Sequence, residues 1–215
     1  FLDSNGRAFA TDAHSLPSAR SQGEPMTGRF NLSSGANFEH VVMAEDNQEL
    51  LMASDAGYGF ISDFKDLVSK NKNGKALVSV PKGGELLAPI RITDIATDYC
   101  MAISNEGRML LFPLRDLPKL GKGKGNKIIS IPSAKVQARE EFVKVLAVVP
   151  EGSSVTLHAG KRKLTLKPSD LEHYHGERGR RGNKFPRGLQ RVDEAVIEIT
   201  QTDDITEPSV DDITE

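Results

Sequence analysis

Tryptophan is absent from the 215 residues, and cysteine occurs once, at Cys100. One thiol cannot close an intramolecular disulfide, so a disulfide-stapled secreted module is excluded and an intracellular compartment is favoured. No apolar run approaches the roughly 20 residues that a membrane-spanning helix needs, and no secretory signal pattern is visible. The opening Phe1-Leu2-Asp3 lacks a starting Met and already lies in an apolar stretch, which reads as an internal piece of a longer polypeptide. Long helical periodicity is missing as well, and Asp63–Lys70 reads as a short helical turn at most. What is present is 38% hydrophobic and 27% charged residues with 19 Gly and 11 Pro, the balance of a soluble, turn-rich globular chain of one domain or two small ones.

The net charge is −2, from 28 Lys and Arg against 30 Asp and Glu. That total hides three blocks. Residues 1–114 hold 10 basic and 14 acidic side chains, net −4; residues 115–191 hold 18 and 7, net +11; residues 192–215 hold none and 9, net −9. The last block repeats Asp203-Asp204-Ile205-Thr206-Glu207 as Asp211-Asp212-Ile213-Thr214-Glu215. An acidic, aromatic-free stretch buries too little apolar surface to offset its ordering entropy, so residues 201–215 are expected to form a disordered acidic tail on a folded region of residues 1–200.

Four segments share one pattern: a β-rich run, a short turn ending in Gly, a second β-rich run, and a Leu about ten residues on. The turn glycines are Gly6, Gly57, Gly107 and Gly160, spaced 51, 50 and 53 residues apart. A two- or three-residue hairpin loop needs one residue at positive φ, which glycine supplies. The flanking runs, Leu50–Ala53 into Tyr58–Ile61, Cys100–Ile103 into Met109–Phe112 and Val155–His158 into Leu164–Leu166, read as half-buried strands. A polar loop with Gly and a basic residue follows each Leu, and then another strand: Phe30–Leu32, Leu77–Val80 and Ile128–Ile131. Further strands are expected at Val41–Ala44, Ile90–Thr93, Phe142–Val149 and Ala195–Ile199. Four strands per ~50 residues indicate an all-β fold of blades around an axis, and the missing Trp argues against kelch or WD40 propellers.

The charged loops supply the candidate site. Gly176–Arg191 carries Arg178, Arg180, Arg181, Lys184, Arg187 and Arg191 between glycines. Glycine lets the backbone approach a phosphate chain, and Arg can hold phosphate bidentately. Lys161, Arg162 and Lys163 sit on the neighbouring hairpin, and Lys122, Lys124 and Lys127 occupy a third basic loop. Three such loops at one repeat position point to DNA. Gly121–Lys127 is not a Walker loop, because a β run follows it rather than a helix. Arg20, Arg29, Lys70, Lys72 and Lys75 occupy equivalent loops in the acidic first half and read as weaker contacts or ordinary surface charge. His173 and His175, two apart, would share a face on a strand, but without a third ligand nearby no metal site is expected. Cys100 reads as a small buried apolar residue. No grouping has catalytic spacing, so no catalytic residue is expected.

The runs Leu16–Arg20, Leu51–Phe60, Gly121–Lys127, Gly160–Lys163 and Gly176–Gly182 closely resemble the C-terminal domain of the A subunit of bacterial topoisomerase IV, the ParC family, across residues 1–195. The resemblance implies a β-pinwheel of about four to five strand-exchanged, four-stranded blades in an open or closed ring, with the first blade incomplete here. It also implies a basic rim that binds and bends duplex DNA. The related gyrase A domain wraps DNA with a Gln-Arg-Arg-Gly-Gly-Lys-Gly box that does not occur here, which disfavours gyrase-type wrapping. The parent enzyme implied is an ATP-hydrolysing type IIA topoisomerase, cytoplasmic and nucleoid-associated with peripheral membrane association in some settings. It would decatenate and relax chromosomes as a heterotetramer of two ParC and two ParE subunits, using Mg²⁺ and ATP bound by ParE; this domain itself would bind no cofactor. The family's active-site tyrosine lies upstream, so Tyr58, Tyr99 and Tyr174 are not cast in that role. A protein-docking module for a MukB-type condensin is the alternative reading.

Overall fold

The computed structural model describes residues 1–199, and the acidic tail expected at 201–215 lies outside the described residues. In chain order the strands are β1 (Leu2–Asp3), β2 (Arg7–Ala8), β3 (Phe38–His40), β4 (Glu49–Ser54), β5 (Tyr58–Asp63), β6 (Lys75–Ala76), β7 (Ile90–Arg91) and β8 (Tyr99–Ser104). They continue with β9 (Arg108–Pro113), β10 (Asn126–Lys127), β11 (Val143–Val149), β12 (Ser154–Ala159), β13 (Arg162–Leu166), β14 (Asn183–Lys184) and β15 (Glu194–Glu198). Three short helices interrupt them: α1 (Phe64–Leu67), α2 (Ser133–Gln137) and α3 (Pro168–Leu171). The strands form four sheets in the orders β3-β1-β2-β6, β10-β5-β4-β7, β11-β8-β9-β14 and β13-β12-β15, which are blades I to IV.

Blades I to III each borrow an edge strand from the next repeat. The register aligns Arg7 with Ala76, Tyr58 with Lys127 and Arg108 with Lys184, so β6, β10 and β14 are equivalent donors. The residue after each donor is a buried plug: Leu77, Ile128 and Phe185. Their amides donate to the carbonyls of the hairpin glycines Gly6, Gly57 and Gly107 at 3.0, 2.8 and 2.9 Å. Each plug buries ~1.5–3 kcal/mol of transfer free energy across a blade boundary. The donor begins on a glycine for a steric reason. A Cβ on Gly125 would lie 2.1 Å from the Gly59 carbonyl oxygen, and one on Gly182 would lie 2.5 Å from that of Met109. Among the described residues, β13 receives no donor, and nothing lies within 4 Å of a Cβ placed on Gly160.

For blades II and III the expectation of half-buried strands is corrected by the packing, whereas β13 of blade IV is half-buried as expected. Leu50, Leu51, Met52 and Ala53 are all at most 1% exposed. Side chains alternate between faces, and here both faces are covered: Leu51, Ala53 and Ile61 share a core with Cys100, Ala102 and Phe112 of blade III, while Leu50, Met52 and Phe60 pack with Leu2 and Ala8 of blade I. This is why the runs are continuously apolar. A third core joins blades III and IV through Met101, Met109, Leu111, Val155 and Leu157. Among the described residues no core joins blade IV to blade I. The opposite face of blade IV carries the Thr156 and Thr165 hydroxyls, hydrogen-bonded at 2.9 Å, beside the exposed Val196.

Several expected strands move. Leu77–Val80 and Ile128–Ile131 are plugs rather than ladders, and pairing falls on the less buried residues just before them, in β6 and β10. Hydrophobicity there reports burial between blades, not strand pairing. Phe30–Leu32 forms no strand; Phe30 packs 5.3 Å from the Phe9 ring, within a cluster that includes Phe1 and Phe38. Val41–Ala44 likewise lies outside β3, with Val41 and Met43 exposed.

Candidate nucleic-acid interface

The basic loops of consecutive repeats lie side by side. In the fourth repeat, the Gly179 amide donates to the Ile128 carbonyl and the Ser130 amide donates to the Arg180 carbonyl, each at 2.9 Å. Arg178 Nη1 donates to the Lys127 carbonyl, also at 2.9 Å. Residues 178–181 are therefore zipped along 127–130, and Lys127, Arg178 and Arg180 share one edge. One junction earlier the geometry repeats: the Gly123 amide donates to the Leu77 carbonyl at 2.8 Å and the Ser79 amide to the Gly123 carbonyl at 2.9 Å. The strand exchange that builds the blades thus also lines up their basic loops.

Lys122, Lys124, Lys127 and Lys184 are exposed, with the Lys124 ammonium 4.3 Å from the centre of the Tyr58 ring. Arg180 is exposed and pairs with Glu177 at 2.7 Å, a contact that surface solvation keeps weak. Arg181 faces inward, with its guanidinium on Glu141 and the Ser130 carbonyl. Lys161, Arg162, Lys163, Arg187 and Arg191 are exposed. Lys161, Arg162 and Arg191 line a cleft of about 540 Å³ with Gly188 and Asp193 at the tip of the blade IV hairpin. In the first half, Arg20, Lys70 and Lys72 are exposed. Arg29 is held by Glu24 and Ser15, and the Lys75 ammonium donates to the Asp66 carbonyl at 2.7 Å.

Sequence reasoning missed two arginines that shape the loops. Arg108 Nη1 donates to the Gly182 carbonyl at 3.1 Å, and Arg7 Nη2 donates to the Gly74 carbonyl at 2.9 Å. Both follow a hairpin glycine, and each holds the turn that starts a donor strand. Aligning the repeats on Gly6, Gly57, Gly107 and Gly160 places Arg7, Tyr58, Arg108 and Lys161 at one position, which is the signal that identifies them.

The histidines do not share a strand face. His173 sits in a 3₁₀ turn (Glu172–Tyr174), and His175 packs edge-on to Tyr99, with ring centres 4.9 Å apart. Among the described residues no three His, Cys, Asp or Glu side chains are grouped to hold a metal. Cys100 is fully buried, and burial pushes its thiol far above the ordinary range. Lys119 bridges Asp63 at 2.7 Å and Glu49 at 2.9 Å. The hydrogen bond from Lys119 holds the Asp63 carboxyl below its usual range, and Lys119 itself is raised to about 12.

Comparison with known proteins agrees with this architecture. Residues 48–93 and 98–149 match the family model of the DNA gyrase C-terminal domain, beta-propeller. The chain is 55% identical over 203 residues to the A subunit of DNA topoisomerase 4 from Pseudomonas aeruginosa, covering 94% of this chain and 27% of that protein. It spans about a quarter of the length of the curated relatives it matches. It is similar in structure to the E. coli ParC C-terminal domain, with a TM-score of 0.88 and 52% identity over 93% of this chain and 80% of that one. A gyrase A C-terminal domain shares the fold alone, at a TM-score of 0.64 and 13% identity over 91% of this chain and 63% of that one.

Proposed function

The chain belongs to the C-terminal domains of bacterial topoisomerase IV A subunits, and we propose that it binds and bends duplex DNA along the edge formed by its consecutive basic loops. The observation that carries this reading is the zipper joining 127–130 to 178–181. It sets Lys127 beside Arg178 and Arg180, cations from two different repeats. Clustered Lys and Arg displace condensed counterions from phosphates, a contact that positions DNA without reading its sequence. Lys122 and Lys124 on one side and Lys184 on the other extend the edge. A duplex following cations placed on successive, mutually rotated blades is bent toward the protein. The domain supplies binding rather than chemistry. In the parent enzyme it would present a duplex for ATP-dependent strand passage by two ParC and two ParE subunits, in the service of decatenation and chromosome segregation.

The test is retention of a nicked circular DNA, followed by ligation and measurement of linking number. Retention without a linking-number shift is the expected result and means bending. A shift would mean gyrase-type chiral wrapping, and no retention would overturn the DNA reading. A second reading, docking of an acidic surface such as that of a MukB-type condensin, is favoured by the cleft lined by Lys161, Arg162 and Arg191, which lies apart from the zipper. Retention of DNA by a chain carrying Lys161→Glu and Arg191→Glu would support that division of labour.

A further inference from the structure

Glu141 is completely buried, yet it carries a carboxylate. Arg181 grips it with both nitrogens, Nη1 to Oε1 at 2.5 Å and Nη2 to Oε2 at 2.8 Å, and Nη1 also donates to the Ser130 carbonyl at 2.8 Å. The Lys135 ammonium lies 3.6 Å from Oε2. Burying such a pair costs desolvation, and the best-attested return for it is fixing one register among alternatives. The register at stake here is plain. Residues 176–182 include Gly176, Gly179 and Gly182, and they carry Arg178 and Arg180 alongside Lys127. A glycine-rich segment is entropically free, and like charges at close range repel, so the loop would drift from 127–130 without an anchor. The junction between 77–79 and 121–125 has the same backbone zipper but no arginine–carboxylate pair in it.

We infer that Glu141 is a positioning residue of the DNA-binding edge, and that Arg181 is its anchor rather than a phosphate ligand. This rests on the DNA-binding reading above and deepens it. The sign of the expected effect is the opposite of what charge alone gives. Removing an acid beside a basic edge raises the net positive charge and should tighten DNA binding. A lost anchor should weaken it instead, because Arg178 and Arg180 no longer meet the duplex together.

The experiment compares the unaltered chain with Glu141→Gln and Arg181→Lys, by duplex binding across a salt series and by amide hydrogen exchange. Both variants are expected to bind about tenfold more weakly, with the salt slope reduced by about two, one for each displaced arginine. The Gly179 and Ser130 amides should lose protection while the Leu117 and Val143 amides keep theirs. Arg181→Lys preserves charge and disturbs folding least, so it carries the test if Glu141→Gln fails to fold. Tighter or unchanged binding would overturn the inference. So would weaker binding with Gly179 and Ser130 still protected, since Arg181 would then be a phosphate ligand. If the unaltered chain did not bind DNA, the functional reading would fall, while the exchange data would still decide whether Glu141 pins the loop.

Discussion

Arg139 places Nη1 2.6 Å from Oδ2 of Asp55, a carboxylate only 2% exposed at the hairpin turn of blade II. The same nitrogen donates to the Gly83 carbonyl at 3.1 Å, and the guanidinium lies 4.4 Å from the centre of the Phe142 ring. Asp55 Oδ1 meanwhile accepts the Glu85 amide at 2.7 Å. The pair ties the hairpin of one blade to the exit of α2, and it does so from a left-handed backbone, since Arg139 has φ of 56°. Arg139→Ala leaves a buried charge unpaired and should cost about 2–3 kcal/mol in denaturant unfolding, less than a fully buried pair because Arg139 is 35% exposed. Arg139→Gly removes the same pair but fits the backbone, so it should be about 0.5–1 kcal/mol less damaging than Ala.

Strand exchange gives unequal weight to a glycine beside a donor strand and to one at a hairpin that receives no donor. Gly125→Ala drives a methyl into the Gly59 backbone and should destabilise by more than about 2 kcal/mol. Gly160→Ala meets open space and should cost only its conformational strain, about 1 kcal/mol. Equal losses in thermal unfolding would contradict the exchanged topology.

Cys100 should be inert in the native state. Its thiol is fully buried between blades II and III and held in the neutral form by burial. A thiol reagent at pH 8 should label it only at the rate of unfolding, so labelling should accelerate sharply through the denaturation transition.

The Lys119 bridge should leave a pH signature. Asp63 has a lowered pKa, so its contribution to stability is present above its unfolded value near ~4 and is lost as pH falls through the folded value. Lys119 is raised to about 12, so its contribution persists until pH rises through that value. Lys119→Met should therefore lower the unfolding midpoint at pH 7, and the gap should close once acid protonates Asp63 in the folded state. A gap that persists unchanged in acid would mean the side chain acts through packing.

How far the sequence could be read depended on the scale of the signal. The hairpin glycines mark a backbone conformation that few other residues adopt, so Gly6, Gly57, Gly107 and Gly160 located the four blades. The donors were harder. β6, β10 and β14 are only two residues long, and the apolar plugs Leu77 and Ile128 drew the strand expectation onto themselves, while β14 and its plug Phe185 lay inside a segment expected to be loop. Charge type was legible but charge partner was not. Nothing in the sequence around Glu141 marks it as buried, yet it is fully buried and holds Arg181, a residue indistinguishable in sequence from Arg178 and Arg180. Pairing across 40 residues is set by the exchange topology, which a one-dimensional pattern does not carry.

The salt dependence of duplex binding tests the central claim most directly. If Lys122, Lys124, Lys127, Arg178, Arg180 and Lys184 meet phosphates together, log K against log salt should fall with a slope of about −5, independent of DNA sequence. Lys127→Ala should lower that slope by about one. A slope near zero, or binding unchanged by removal of Lys127, would contradict a DNA-binding edge built from the zippered loops.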